Sequence, residues 1–251
     1  MALVSTPLAL SLFIDEIGRV QHRHKQHEIN APALYCDLEG INLGREGSVS
    51  LLQMALVDYN GKLVTTKIID IHTMGDEAFT TRGDESWYDL KYILGASEIV
   101  KAFFDIRNDS AALYHHYGIE VEGVHDVQLM ECLTRPGYNK TLVRGLGKCM
   151  EYDLAADKRA KAKLVKERGL ALFASERGGS YEVFNVRPMS PEMIEYCVQD
   201  VELLIDLWIV YAWDMDKELY QKLEVETMKR IVLSQSPEYD GNGRHMALSG
   251  L

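Results

Sequence analysis

Apolar positions change their period along this chain, and the change separates a strand-rich opening from a helical remainder. Residues 33–37 form a short apolar run that predicts a strand. Residues 49–58 follow as a second strand after the turn around Gly44 and Gly47, and residues 62–71 as a third across the turn at Tyr59 to Gly61. Three strands joined by short turns predict an antiparallel meander. From Ser86 onward the pattern predicts a helix over 87–94, a strand over 99–104, a helix over 106–117, a brief strand near Val124 and a helix over 127–133. Strand, helix and strand after a meander predict an α/β fold, a mixed five-stranded sheet flanked by helices.

The remainder reads as helical, broken by a Gly- and Ser-bearing loop at Arg177 to Ser180. Ser190 as N-cap, Pro191 at the first helical position and Glu192 in the first turn announce a long helix. The apolar first residues lack a positively charged start and contain Pro7, which predicts a short strand and then a helix capped by Ser5 or Thr6 rather than a signal peptide. The expected organisation is one domain over residues 1–235 with a helical C-terminal part. Residues 236–251, polar and glycine-bearing, are expected to form a loose tail.

Composition narrows the function classes. The 251 residues are 47% hydrophobic and 26% charged, enough to bury a full core. A formal net charge of −11 argues against holding nucleic acid by a general positive field. Any such partner must meet a local patch, and the best candidate is residues 140–168, with Lys140, Arg144, Lys148, Lys158, Arg159, Lys161, Lys163, Lys166 and Arg168 against Glu151, Asp153, Asp157 and Glu167. The run from Lys158 to Arg168 reads equally well as a solvated helix face. Cys36, Cys132, Cys149 and Cys197 show neither a CxxC pair nor zinc-ligand spacing, so they read as core residues in a reducing, intracellular compartment, cytoplasmic or nuclear. No stretch approaches the roughly 20 apolar residues of a membrane span.

Against this background a few carboxylates stand out, because each falls where the local pattern calls for an apolar residue. Asp37 and Glu39 lie two apart at the end of the first apolar strand and so project from one face. Two carboxylates side by side repel unless a cation lies between them. The triplet is weak alone, since the chain has three Asp-Xaa-Glu triplets, at 37, 200 and 216, but only the first ends a strand and runs into Gly40. Asp200 interrupts the helical stripe Met193, Tyr196, Cys197, Leu203, Leu204, Leu207 and Trp208. Tyr196 sits one turn before it, on the same face. A fourth acid, Asp109, falls early in the helix after residues 101–105, and Asp105 competes for its role, although a strand-terminal Asp usually caps the following helix.

Asp37-Leu38-Glu39, Lys101 to Leu113 and Tyr196 to Asp200, in that order and spacing, resemble the three motifs of the DEDD exonuclease superfamily, which has the DnaQ-like, ribonuclease H-like fold. Tyr196 aligns the chain with the DEDDy branch, alongside ribonuclease D and the Werner exonuclease domain. Ser50 to Ala55, His125 to Met130, Leu142 to Lys148 and Arg187 to Met193 add supporting context, so that the resemblance spans about residues 30–215. Within the family it resembles eukaryotic stand-alone exonuclease-domain proteins, including the Egalitarian-like group, some of which act as RNA-binding adaptors. Phe104 departs from the pattern, standing where ribonuclease D relatives often carry His.

The resemblance implies that Asp37, Glu39, Asp109 and Asp200 hold two divalent cations, Mg²⁺ or Mn²⁺, and that Tyr196 orients the attacking water. It implies 3′-to-5′ release of nucleoside 5′-monophosphates from single-stranded ends, RNA favoured over DNA. Ile41, Asn42 and Leu43 are expected to border the terminal nucleotide, and Lys140 and Arg144 to meet its backbone. The alternative is an RNA-binding adaptor with slow or absent turnover. A protein partner delivering the substrate fits either reading, and nothing in the sequence specifies whether the chain dimerises.

Overall fold

The structure is a computed structural model that describes residues 2–137 and 140–251. The meander forms where the pattern places it: β2 (Leu34–Glu39), β3 (Leu51–Val57) and β4 (Leu63–Asp70) pair antiparallel in succession. Strand β5 (Lys101–Phe103) then adds parallel to β2, and β6 (Val124–Asp126) parallel to β5. The sheet has six strands among the described residues, one more than the five expected. The sixth is β1 (Leu3–Val4), which pairs parallel with β4 through Leu3 opposite Ile68. It is the short strand expected ahead of the first helix, and it completes the order β1-β4-β3-β2-β5-β6.

Helix α1 (Pro7–Gln26) starts at Thr6, whose hydroxyl accepts from the Ala9 N–H, and buries Leu10, Phe13, Ile14 and Ile17. Two single turns follow β4, α2 (Ile71–Met74) and α3 (Glu77–Thr80). Helix α4 (Leu90–Gly95) begins three residues later than expected, because Asp89 caps it on the Tyr92 N–H and Trp87 sits at φ +64°. The remaining α-helices among the described residues are α5 (Arg107–Tyr117), α6 (Val127–Thr134), α7 (Leu146–Asp153), α8 (Ala156–Phe173), α9 (Pro191–Ala212) and α10 (Lys217–Gln235).

Alternation along the strands divides the core. Leu34, Cys36, Leu38, Leu52, Met54 and Leu56 face one layer, shared with α1, α4 and α5. Tyr35, Ala55, Val57 and Ala102 face the opposite layer, shared with α6, α7 and α9. The same alternation turns Asp37 and Glu39 toward α9. All four cysteines are buried and free. No helix among the described residues is long and apolar enough to cross a membrane.

Residues 236–251, expected to be loose, are seated against the domain. Arg45 donates to the Ser236 and Pro237 carbonyls, and the Tyr239 hydroxyl donates to Asn108 Oδ1. Arg107 donates to the Met246 carbonyl, while Val143 and Ser249 exchange backbone hydrogen bonds with Ala247 and Thr141. The polar side chains and glycines that read as disorder here serve these local turns and bonds.

Candidate active site

Strand β2 delivers Asp37 and Glu39, and Gly40 must follow: an added Cβ there would meet the Ser48 carbonyl oxygen at 1.9 Å. Gly47 closes the next loop in the same way, 1.9 Å from the Asn42 carbonyl oxygen, and the Ser48 N–H donates to Ile41 across 3.0 Å. Ile41, Asn42 and Leu43 are thereby fixed directly beyond the two acids, with Asn42 at φ +50° and Leu43 packed on the core. Helix α9 delivers Tyr196 and Asp200 one turn apart, and its start is set by the Ser190 hydroxyl accepting from the Met193 N–H at 3.2 Å.

These elements converge. Ligand oxygens of Asp37, Glu39 and Asp200 all lie within 4.8 Å of one another. Asp109, in the first turn of α5, is 5% exposed and accepts from the Leu38 N–H at 3.1 Å, between the two β2 acids. Asp105 points elsewhere, paired with Arg107 at 2.5 Å and Arg230 at 3.5 Å. Arg230 also binds the fully buried Asp126 at 2.7 Å, and this network ties α10 to the end of β6.

The electrostatics of the cluster are those of acids short of counter-charge. Burial, and then the Asp200 charge, push Asp37 up to about 7, against the opposing pull of Lys166 and the Leu38 N–H. Burial followed by Asp37 and Asp200 raises Glu39, and burial followed by Asp37 and Asp105 raises Asp109. The Tyr196 phenol is also raised, by burial first and then by Glu39, Asp200 and Asp37, so it is a neutral hydroxyl at physiological pH. Converging hard oxygen donors with excess negative charge fit a divalent cation of the Mg²⁺ or Mn²⁺ type.

A stability consequence follows. A carboxyl raised on folding holds its proton more tightly in the folded chain, so its contribution is complete below about pH 4, the unfolded value, and is lost as pH rises through about 7. The melting temperature of chelator-treated protein should therefore fall by several degrees between pH 5 and pH 8. Asp37→Asn should flatten that slope, and a metal-free protein most stable at pH 8 would contradict it.

Sequence reasoning missed three residues here. Lys166, assigned only to a basic run, reaches from α8 to both Asp200 oxygens, at 3.3 and 3.4 Å, with its ammonium 5.5 Å from the Tyr196 ring centre. Gly169, one turn later, touches that ring: an added Cβ would lie 2.3 Å from Tyr196 Cδ2. A glycine inside a helix was the available signal. Tyr181 is 43% exposed and packs on Phe173 and Phe184, and the Glu39 charge helps raise its phenol, after burial. The rest of the basic run is the solvated face, with Lys158 paired to Asp206 at 2.7 Å and Lys163 near Glu167 at 4.0 Å. Arg144 pairs with Glu131 at 3.0 Å, and the Lys140 ammonium binds the Leu133 carbonyl.

A six-stranded mixed sheet carrying clustered acids at the end of its central β2, with helices on both faces, defines a ribonuclease H-like exonuclease fold. A family model described as 3′-5′ exonuclease matches residues 20–210, and the chain belongs to that family. It is 26% identical over 212 residues to the human piRNA biogenesis protein EXD1, a match covering 80% of this chain and 35% of the relative. The chain thus spans about a third of that relative's length. Among solved structures, Trypanosoma brucei RNase D in complex with RNA U12 superposes with a TM-score of 0.67 at 19% identity, covering 96% of this chain and 74% of the other. Escherichia coli RNase D gives 0.56 at 16% identity, covering 93% and 50%.

Proposed function

We propose that this protein is a metal-dependent 3′-to-5′ exonuclease that releases nucleoside 5′-monophosphates from single-stranded ends, with RNA as the preferred substrate. The observation that carries the reading is the convergence of Asp37, Glu39 and Asp200 within 4.8 Å, beside Tyr196, inside the family-matched region. Asp109 joins them as a ligand through its place at the Leu38 N–H. Two divalent ions held by these acids would supply an activated water on one side of the scissile phosphate and a stabilised 3′ oxygen on the other.

The chain's own groups do the remaining work. The neutral Tyr196 hydroxyl orients the water, and α8 behind its ring fixes that direction. Ile41, Asn42 and Leu43 border the terminal nucleotide. Tyr181, exposed beside Glu39, offers an aromatic face on which a base can stack. Arg144 precedes the start of α7 and meets the nucleic acid backbone there; Lys140 adds charge at that flank. RNA is favoured because a solved structure of similar fold, T. brucei RNase D, holds RNA.

The second reading is a catalytically weak adaptor that uses the exonuclease fold to recruit RNA or a protein partner; with a net charge of −11 it too must hold RNA through a local patch. Single-stranded RNA, single-stranded DNA and recessed duplex, each labelled at the 5′ end, separate the two. With Mn²⁺ the RNA should shorten stepwise from its 3′ end, and chelator should stop it. Binding with intact 3′ ends in Mn²⁺ would establish the adaptor.

A further inference from the structure

Lys166 is 21% exposed at its side chain and sits among acids rather than in solvent. It contacts both oxygens of Asp200, and its charge is felt at Asp37 and Glu39 as well. These three acids are the group whose oxygens converge within 4.8 Å. Three carboxylates this close would splay apart unless something positive lay among them. An ammonium on a flexible four-carbon stem is a compact point charge able to enter and leave such a site.

The helix that carries Lys166 is built to aim it. Its buried stripe is Ala162, Val165, Gly169 and Phe173, in which the small Ala162 and Gly169 let α8 lie close on α9. Gly169 admits the Tyr196 ring, and Phe173 backs that ring at 5.3 Å. Gly147 at the start of α7 leaves room beside the Lys166 stem: even an added Cβ there would lie 4.0 Å from Lys166 Cε. Other lysines of the run, Lys158, Lys161 and Lys163, are exposed. Lys166 alone of these turns inward.

We propose that Lys166 is a built-in stand-in cation: it holds the Asp37, Glu39 and Asp200 carboxylates converged before metal arrives, and the incoming divalent ion must displace it from Asp200. This inference rests on the metal-dependent reading of the site and concerns how that site is loaded. Lys166 is a positioning residue, acting through the acids rather than on the substrate. Its presence costs metal affinity, because the ion meets a cation already bound. In return the acids are held in place while the site awaits its metal.

Binding without substrate tests this. Mn²⁺ is titrated calorimetrically into metal-free wild type, Lys166→Met and Lys166→Arg at about pH 8.5, so that a proton does not replace the lost ammonium. Lys166→Met should bind Mn²⁺ about tenfold more tightly than wild type, while Lys166→Arg stays near wild type. The metal-free melting temperature of Lys166→Met should fall by several degrees and that of the metal-saturated protein should not, so the metal-induced rise grows. Equal or weaker Mn²⁺ binding by Lys166→Met with an unchanged metal-free melting temperature would overturn the inference and leave the nuclease reading standing. Wild type that takes up no Mn²⁺ would overturn both. Methionine keeps the length of the lysine's apolar stem, so Lys166→Met should fold; Lys166→Gln, measured in parallel, must show the same tightening for the inference to stand.

Discussion

Replacing Asp37 by Ala is expected to abolish 3′-end trimming, a loss of about 10⁴-fold, while leaving the fold intact and more stable than wild type in chelator. Both halves come from the same geometry. Asp37 is partly accessible at the end of β2, its proton held up to about 7 by burial and by Asp200, so without metal its charge is a source of repulsion. Removing it relieves that repulsion, the usual exchange between stability and function at a site built from like charges. The measurement pairs an oligonucleotide ladder in Mn²⁺ with a melting curve in chelator. Trimming by Asp37→Ala within tenfold of wild type would remove Asp37 from the chemistry. A loss of both activity and metal-free stability would mean instead that the side chain is structural.

Gly169→Ala should be nearly as damaging to activity although it adds only a methyl group, and that group lies on α8, away from the acids. The new Cβ would stand 2.3 Å from Tyr196 Cδ2 and 2.6 Å from Cγ, distances at which something must shift. The ring has little room, being 5% exposed and backed by Phe173. Either Tyr196 rotates or α8 backs away from α9. Misplacing an orienting group by about an ångström costs on the order of 10²-fold in rate, and that is the expected loss. Alanine's better helix propensity, worth about 1 kcal/mol, partly offsets the clash, so the circular dichroism spectrum should be unchanged. Mn²⁺ affinity should stay within a few-fold of wild type where the Tyr196 ring rotates and Lys166 keeps its place, and should rise where α8 backs away and withdraws Lys166 from Asp200. Activity within threefold of wild type would show that the Tyr196 ring has slack and that its direction is not set by α8.

Most of the site was legible because its signals are local. Asp37 and Glu39 announce themselves by interrupting a strand and Asp200 by interrupting a helical stripe, since burying a carboxylate is costly wherever it occurs. The start of α9 was equally plain, because a cap, a proline and an acid act within one turn. Other placements have no local trace. The short strand β1 was expected, but its place at the sheet edge depends on Ile68 and Ile69, more than sixty residues away. The segment after α10 is held by Arg45, Asn108 and Thr141, residues with no sequence signal pointing to it.

The sequence by itself determined the α/β alternation, the antiparallel opening of the sheet and the acids that end its strands, because period and the cost of buried charge are properties of neighbouring residues. Only the tertiary structure decided which lysine of a basic run turns inward, which helix glycine receives the Tyr196 ring, and that Asp105 goes to Arg107 and Arg230 while Asp109 lies at the Leu38 N–H. Those choices depend on how α5, α8 and α9 pack against the sheet. A lysine's attraction to carboxylates, or a glycine's fit to a ring, is fixed by distances across elements that no local pattern encodes.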